Sequence, residues 1–111
     1  MGSEIYTYQI VADAENDIDQ IVKYISVVLS NPEAAEKFLT DLEKKLDQLC
    51  EMPKIGKIVE NEFNMRKEFR YVIINNYDLY YFVNDEDKMI NVLRVVSARR
   101  DQRLIISSMI D

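Results

Sequence analysis

The groups in this chain best suited to chemistry are arginines. Arg94, Arg99, Arg100 and Arg103 fall within ten residues of one another, and Arg70 stands upstream at the head of a strand-like run. Guanidinium groups present forked donors that hold phosphate or carboxylate bidentately, so a cluster of them suits anion recognition. Internal pairing competes with that role, above all for Arg94 and Arg100, with Asp78 and Asp101 as acidic candidates. The absence of histidine removes the commonest general base near neutral pH and the commonest zinc ligand. Cys50, the single cysteine, sits on an apolar helical stripe where packing explains it. Two glycines allow neither a phosphate-cradling loop nor a dinucleotide fingerprint. No metal or cofactor is therefore expected, and the acidic run Asp85-Glu86-Asp87 suits a solvated turn. Tyr71 and Tyr80 near Arg70 could stack on bases, although sheet packing is the commoner use of such rings.

Three runs must position these arginines: Phe69 to Ile74, Tyr77 to Val83 and Met89 to Val96. Each is rich in aromatic and β-branched residues that fit a pleated surface. Asn75-Asn76 separates the first two, and asparagine tolerates the left-handed backbone of a two-residue hairpin turn. The spacing predicts a three-stranded antiparallel meander leaving through Ser97-Ala98-Arg99-Arg100-Asp101. Arg70 and the exit arginines Arg99, Arg100 and Arg103 are expected to gather at one end of this sheet.

Upstream, Ile5 to Val11 alternates Tyr6, Tyr8 and Ile10 against Thr7 and Gln9, the period of a half-buried strand. Asp13 is then placed to cap a helix whose residues Ile18, Ile21, Val22, Ile25, Val28 and Leu29 form one stripe. Ser30-Asn31-Pro32-Glu33 restarts the chain as a second helix, either with Asn31 as cap and Pro32 at the first position or with Ser30 and Glu33 as a capping box, and Ala35, Phe38, Leu39, Leu42, Leu46, Leu49 and Cys50 lie on one face. Two such helices on a short link form a hairpin whose apolar stripes need the sheet. The fold class expected is α+β, in the order β-α-α-β-β-β, with a short final helix between Arg100 and Ile110. Lys54 to Lys67 is the one long polar connection.

At 111 residues the chain is expected to form a single domain over 4–111, with Met1-Gly2-Ser3 resembling a cloning scar. No apolar run reaches the roughly 18 residues of a membrane span, and a cytoplasmic location is expected. Net charge is −6, but residues 1–53 carry 4 Lys+Arg against 11 Asp+Glu, while residues 54–111 carry 10 against 9. Phosphate binding depends on lysine and arginine, so direct DNA binding by the free protein is not expected.

The stretch Tyr-x-Leu-Tyr-Tyr-x-Val from Tyr77, the acidic turn, and Leu-Arg-Val-Val-x-x-Arg-Arg-Asp from Leu93 resemble the toxin half of the RelE/ParE superfamily of bacterial toxin-antitoxin pairs. The first strand, the two amphipathic helices and the Met52-Pro53-x-x-Gly56 link occur in the superfamily's order, and the link and the Arg-Arg-Asp exit favour its ParE branch, the plasmid stabilization family.

This resemblance implies a toxin neutralised by a cognate antitoxin lying across the groove between the helices and the sheet. Tyr6, Tyr8, Ile21, Ile25 and Tyr80 would be its contacts. The ParE branch is associated with poisoning DNA gyrase by binding, for which Arg70, Arg99, Arg100 and Arg103 would be the target-binding set. RelE-type members instead cut messenger RNA on the ribosome, and by that resemblance Arg70 and Arg99 would serve. The RelE pattern is broken where Asp78 replaces a hairpin arginine, where Val72 replaces a strand lysine, and where Ile105 or Ile106 replaces a tyrosine. The ParE pattern is broken where Ser97 replaces a histidine often found two residues before the arginine pair. A third expectation is a weakened homologue that only binds antitoxin.

Overall fold

The alternation that begins at the first strand is realised as β1 (Thr7–Ile10), in a computed structural model that describes residues 5–59 and 67–109. After it come α1 (Ala12–Lys23), a π-helical turn (Tyr24–Val28), α2 (Pro32–Glu51), β2 (Lys57–Ile58), β3 (Phe69–Ile74), β4 (Tyr77–Asn84), β5 (Met89–Ser97) and α3 (Gln102–Met109). The strands form one five-stranded sheet in the order β1-β5-β4-β3-β2, in which β1 runs parallel to β5 and the other neighbours are antiparallel. The expected meander and final helix are present. Met1-Gly2-Ser3, Ile110 and much of the polar connection after Val59 lie outside the described residues.

Two cores sandwich the sheet. On one face α1, the π turn and α2 lay Ile18, Ile21, Ile25, Phe38, Leu42, Leu46 and Leu49 against Val72, Ile74, Leu79, Tyr81, Ile90, Val92 and Val95. On the other, Ile105 and Ile106 of α3 cover Phe69, Tyr80 and Val96. Of the two starts the sequence offers for the second helix, the structure takes the Asn31 cap, its carboxamide accepting the Ala34 N–H at 3.1 Å with Pro32 at the first position.

Four local expectations are corrected. Asp13 does not cap α1: Val11 holds that position with no side-chain bond, because it is still in the sheet, giving its N–H to Val92 while its carbonyl starts the helix. Asp13 instead lies in the first turn, where the helix dipole favours it. The first helical stripe does not run through to Leu29. The Leu29 N–H reaches the Tyr24 carbonyl, a five-residue step that rotates the end of the segment, and Val28 and Leu29 face solvent. In α2, Leu39 is exposed as well. Finally, the link after α2 contains a two-residue strand, β2, which sequence periodicity cannot register at that length.

Candidate functional site

The arginines separate into two kinds. Arg70 donates through Nη1 to the carbonyls of Lys54 (3.1 Å) and Gly56 (2.9 Å), and through Nη2 to Glu68 (2.8 Å). It is a clamp on the link between α2 and β2. Gly56 is held from the other side by Tyr81, whose buried hydroxyl accepts the Gly56 N–H at 3.0 Å and donates to the Pro53 carbonyl at 2.8 Å. Burial pushes the Tyr81 hydroxyl pKa up, so it stays a donor. A Cβ on Gly56 would fall 2.5 Å from that hydroxyl oxygen and 2.8 Å from the Tyr71 carbonyl. The Pro-x-x-Gly signature is thus a close approach of backbone to a buried tyrosine.

Arg94 is also internal. An irregularity opposite Tyr80 and Tyr81 leaves Leu93 without its own partner on β4. Arg94 reaches from there to Asp17 of α1, giving Nε–H at 2.7 Å and Nη2–H at 3.0 Å, and its Nη1 donates to Ser108 of α3 at 2.8 Å. The hydrogen bonds to Asp17 raise the Arg94 pKa further. The competition between anion binding and internal pairing is settled for Arg94, with Asp17 rather than Asp78 or Asp101 as partner.

Arg99 and Arg100 are different. The Ser97 hydroxyl accepts the Arg99 N–H and the Ser97 carbonyl accepts the Arg100 N–H, forming a tight turn after β5. Asp101 then caps α3, accepting the Arg103 N–H at 2.9 Å. This arrangement fixes the main chain and leaves the Arg99 and Arg100 side chains exposed, without an ion pair among the described residues. Arg103, on the first turn of α3, is exposed too.

The expected gathering of Arg70 with the exit arginines does not occur. Arg70 pairs with Tyr81, whereas Ser97 pairs with Tyr77 at the other end of β4. That separation is about 13 Å along the strand.

The turn arginines instead border an open groove of about 760 Å³, lined among others by Gln20, Tyr24, Leu29, Tyr77, Val95, Ser97, Arg99 and Arg100. It lies between the end of α1 with its π turn and the end of β5. Tyr24 and Leu29 are half exposed there, at 50% and 53%. Ile21 lines the groove from within the core, and Ile25 belongs to the same cluster without lining it. Tyr8 is on β1 and Tyr6 just before it, neither lines the groove, and the Tyr6 hydroxyl donates to Asp85 at 2.7 Å. Tyr80 is on the opposite face, 1% exposed beneath α3, where Gln102 donates to its hydroxyl. Sequence reasoning missed Tyr24, Leu29 and Tyr77 as groove residues, because only the π turn brings Leu29 to this surface.

Asp78 lies on the α3 face of β4, half-buried, and burial raises its carboxyl pKa while the Tyr80 hydroxyl partly offsets the rise. Val72 belongs to the core under the helices, and Ile105 and Ile106 are the buried face of α3. Among the described residues no cluster of acidic or cysteine side chains could hold a metal ion, and no helix is long and apolar enough to cross a membrane.

Comparison with known proteins agrees with this architecture. The chain is similar in structure to a component of a chromosomal ParDE toxin-antitoxin system from P. aeruginosa, with a TM-score of 0.65 at 22% identity over 86% of this chain and 98% of the other. It is similar to a chain of the RelBE2 toxin-antitoxin complex from Mycobacterium tuberculosis, with a TM-score of 0.58 at 20% identity over 84% and 98%. The isolated E. coli RelE toxin gives 0.58 at 20% identity over 93% and 95%. These likenesses establish the RelE/ParE fold. No curated protein matches in sequence at a significant level. The family profile described as "ParE toxin of type II toxin-antitoxin system, parDE" matches residues 8–102, which span β1 to the start of α3. With its fold, its Gly56 link and its capped Arg-Arg-Asp exit all inside that match, this chain belongs to the ParE toxin family of the RelE/ParE superfamily.

Proposed function

We propose that this toxin acts by binding, with DNA gyrase as its target, and that a cognate antitoxin neutralises it by occupying the groove beside Arg99 and Arg100. The observation that carries the reading is the division among the arginines. Arg70 and Arg94 are committed to the chain's own carbonyls and carboxylates, while Arg99 and Arg100 are held out on a rigid turn next to exposed apolar side chains. Rigid presentation of cations beside an apolar surface favours recognition of a partner protein.

Cleavage of RNA asks for more. A ribonuclease needs a group to deprotonate the ribose 2′-hydroxyl and cations to stabilise the developing charge. The chain has no histidine, and of the two arginines such a mechanism would use, Arg70 already serves three acceptors. Asp78 in place of a cation would repel the approaching phosphate whenever ionised. The partner protein is supported by relatives solved as toxin-antitoxin complexes.

Inducible expression with parallel readouts tests the proposal. Growth arrest with altered gyrase supercoiling or cleavage in vitro, and intact transcripts, is the expected result. Messenger cleavage on ribosomes would replace it with the RelE-type mechanism. Unimpaired growth with tight antitoxin binding would leave a non-toxic binding module.

A further inference from the structure

The groove beside the exit turn contains main chain that the fold leaves half used. β1 pairs with β5 only as far as Ile10 opposite Val92, and β5 runs on to Ser97. Successive residues of a strand send their main-chain groups to opposite sides. The Ala98 N–H goes inward to Asn76 and the Val95 N–H outward to Asp17, so Val95 and Ser97 share the outward edge. Asp17 uses the Val95 N–H, and Arg100 uses the Ser97 carbonyl. The Val95 carbonyl and the Ser97 N–H meet no partner among the described residues. An acceptor and a donor therefore stand side by side on one edge, and both residues line the groove. Val95 is only 1% exposed, so its carbonyl is largely stripped of water, and a buried acceptor in that state gains most from a donor.

The surroundings of this pair are those of a small-molecule site. The groove, at about 760 Å³, is within the size range of such sites. Tyr24 and Leu29, both half exposed, give one wall an aromatic ring and an aliphatic side chain. Arg99 and Arg100 line it where β5 ends, free of ion pairs among the described residues, and Asp17 is already neutralised by Arg94, so the charge offered to a ligand is positive. We propose that the groove binds an adenine nucleotide. The 6-amino group donates to the Val95 carbonyl while the neighbouring ring nitrogen accepts the Ser97 N–H. Adenine has an acceptor nitrogen on each side of that amine, so either edge of the base supplies the pair. The ring packs against Tyr24 and Leu29, as bases do on exposed aromatic side chains. Arg99 and Arg100 hold the phosphates through their forked donors. Neither base contact takes a group that the chain already uses. This inference goes beyond the toxin reading and does not depend on it.

Titration of the free chain with ADP, followed by heteronuclear NMR, tests the site without reference to toxicity. Saturable shifts of the Ser97 amide and the Val95 carbonyl are the expected result. Because the base contacts are to main chain, they are probed by altering the ligand. N6,N6-dimethyl-ADP lacks the donor and should bind about tenfold or more weakly, the scale of one lost hydrogen bond in a desolvated site. Adenosine and inorganic pyrophosphate, each with half of the recognised features, should also fall by about tenfold or more. R99A/R100A should bring ADP down to the level of adenosine, with thermal unfolding unchanged. Guanine presents its donor and acceptor in the opposite order around the ring, so its sugar cannot take the same place, and GDP should bind more weakly than ADP. Pyrophosphate binding as tightly as ADP would reduce the site to an anion contact and overturn the proposal. So would dimethylated ADP or GDP binding as well as ADP, or main-chain signals of Val95 and Ser97 that stay in place at millimolar ADP. The ligand series needs no variant to fold, and growth arrest by the toxin is untouched by either outcome.

Discussion

One carboxylate, that of Asp17, accepts both the Arg94 guanidinium and the Val95 N–H, through Oδ2 at 2.7 and 3.0 Å with Oδ1 taking the second guanidinium nitrogen at 3.0 Å. It joins α1 to the free edge of β5 where β1 has ended. Because Arg94 also holds Ser108, the same contact ties the helices on one face of the sheet to α3 on the other. Both side chains are largely buried, at 11% and 18% exposure.

Asp17→Ala therefore leaves a mostly buried guanidinium and a strand amide without their acceptor. A loss of about 3 kcal/mol is expected, in the range for breaking a buried pair by removing one partner. Urea unfolding measures it, and a loss below about 0.5 kcal/mol would contradict the assignment.

Gly56→Ala drives a methyl group into the Tyr81 hydroxyl and the Tyr71 carbonyl. About 1–3 kcal/mol of destabilisation is expected for overpacking against backbone. Tyr81→Phe strands the Gly56 N–H and the Pro53 carbonyl, at about 1–3 kcal/mol. The two substitutions share one contact, so the double variant should lose less than the sum of the single losses in the same unfolding assay.

The arginines should divide in experiment as they do in space. Arg70→Ala removes three hydrogen bonds and is expected to cost about 2 kcal/mol of stability. Arg99→Ala and Arg100→Ala should stay within about 0.5 kcal/mol of the parent while weakening partner binding. Equal melting temperatures for all three variants would remove the distinction between clamp and presented cation.

Asp78 gives a pH dependence with a definite sign. Its folded-state pKa is raised, mainly by burial, so the folded protein holds a proton that the unfolded chain has already released. The resulting penalty is complete above the folded-state pKa and is relieved as pH falls through it toward the unfolded value near 3.9. Asp78→Asn should stabilise the protein at neutral pH, with a benefit that fades in acid. Thermal unfolding of both proteins across that window measures it, and a benefit that grows in acid would reverse the sign. Asp85 acts oppositely: hydrogen bonds from Tyr6 and then Lys54 lower its pKa, so its contribution is present at neutral pH and lost in acid.

The fold was legible where side-chain pattern and backbone conformation are the same fact. Alternating β-branched and aromatic residues specified β3, β4 and β5, Asn75 takes the positive φ of 55° that a tight hairpin requires, and Asn31-Pro32 marked the restart of the helix. The site was less legible because its parts depend on phase. An arginine at the head of a strand looks the same in sequence whether it meets a phosphate or the carbonyls of Lys54 and Gly56. The extra residue at Leu93 and the five-residue step at Tyr24 leave no periodic mark, yet they decide where Arg94 and Leu29 point. Asp101, legible as part of a motif, proved to be a helix cap.

That five-residue step has a consequence for evolution as well as for packing. Adding one residue to a helix without adding a turn swings everything beyond it by about 100°. Continued as an ordinary α-helix, the segment would direct Val28 and Leu29 inward with Ile18, Ile21 and Ile25. As built, it gives up their burial and makes them available to another molecule, and the Ser26 hydroxyl, bonded back to Val22 at 2.7 Å, sits inside the distortion. Removing one residue from this turn would restore ordinary helical bonding without swinging the residues beyond it inward.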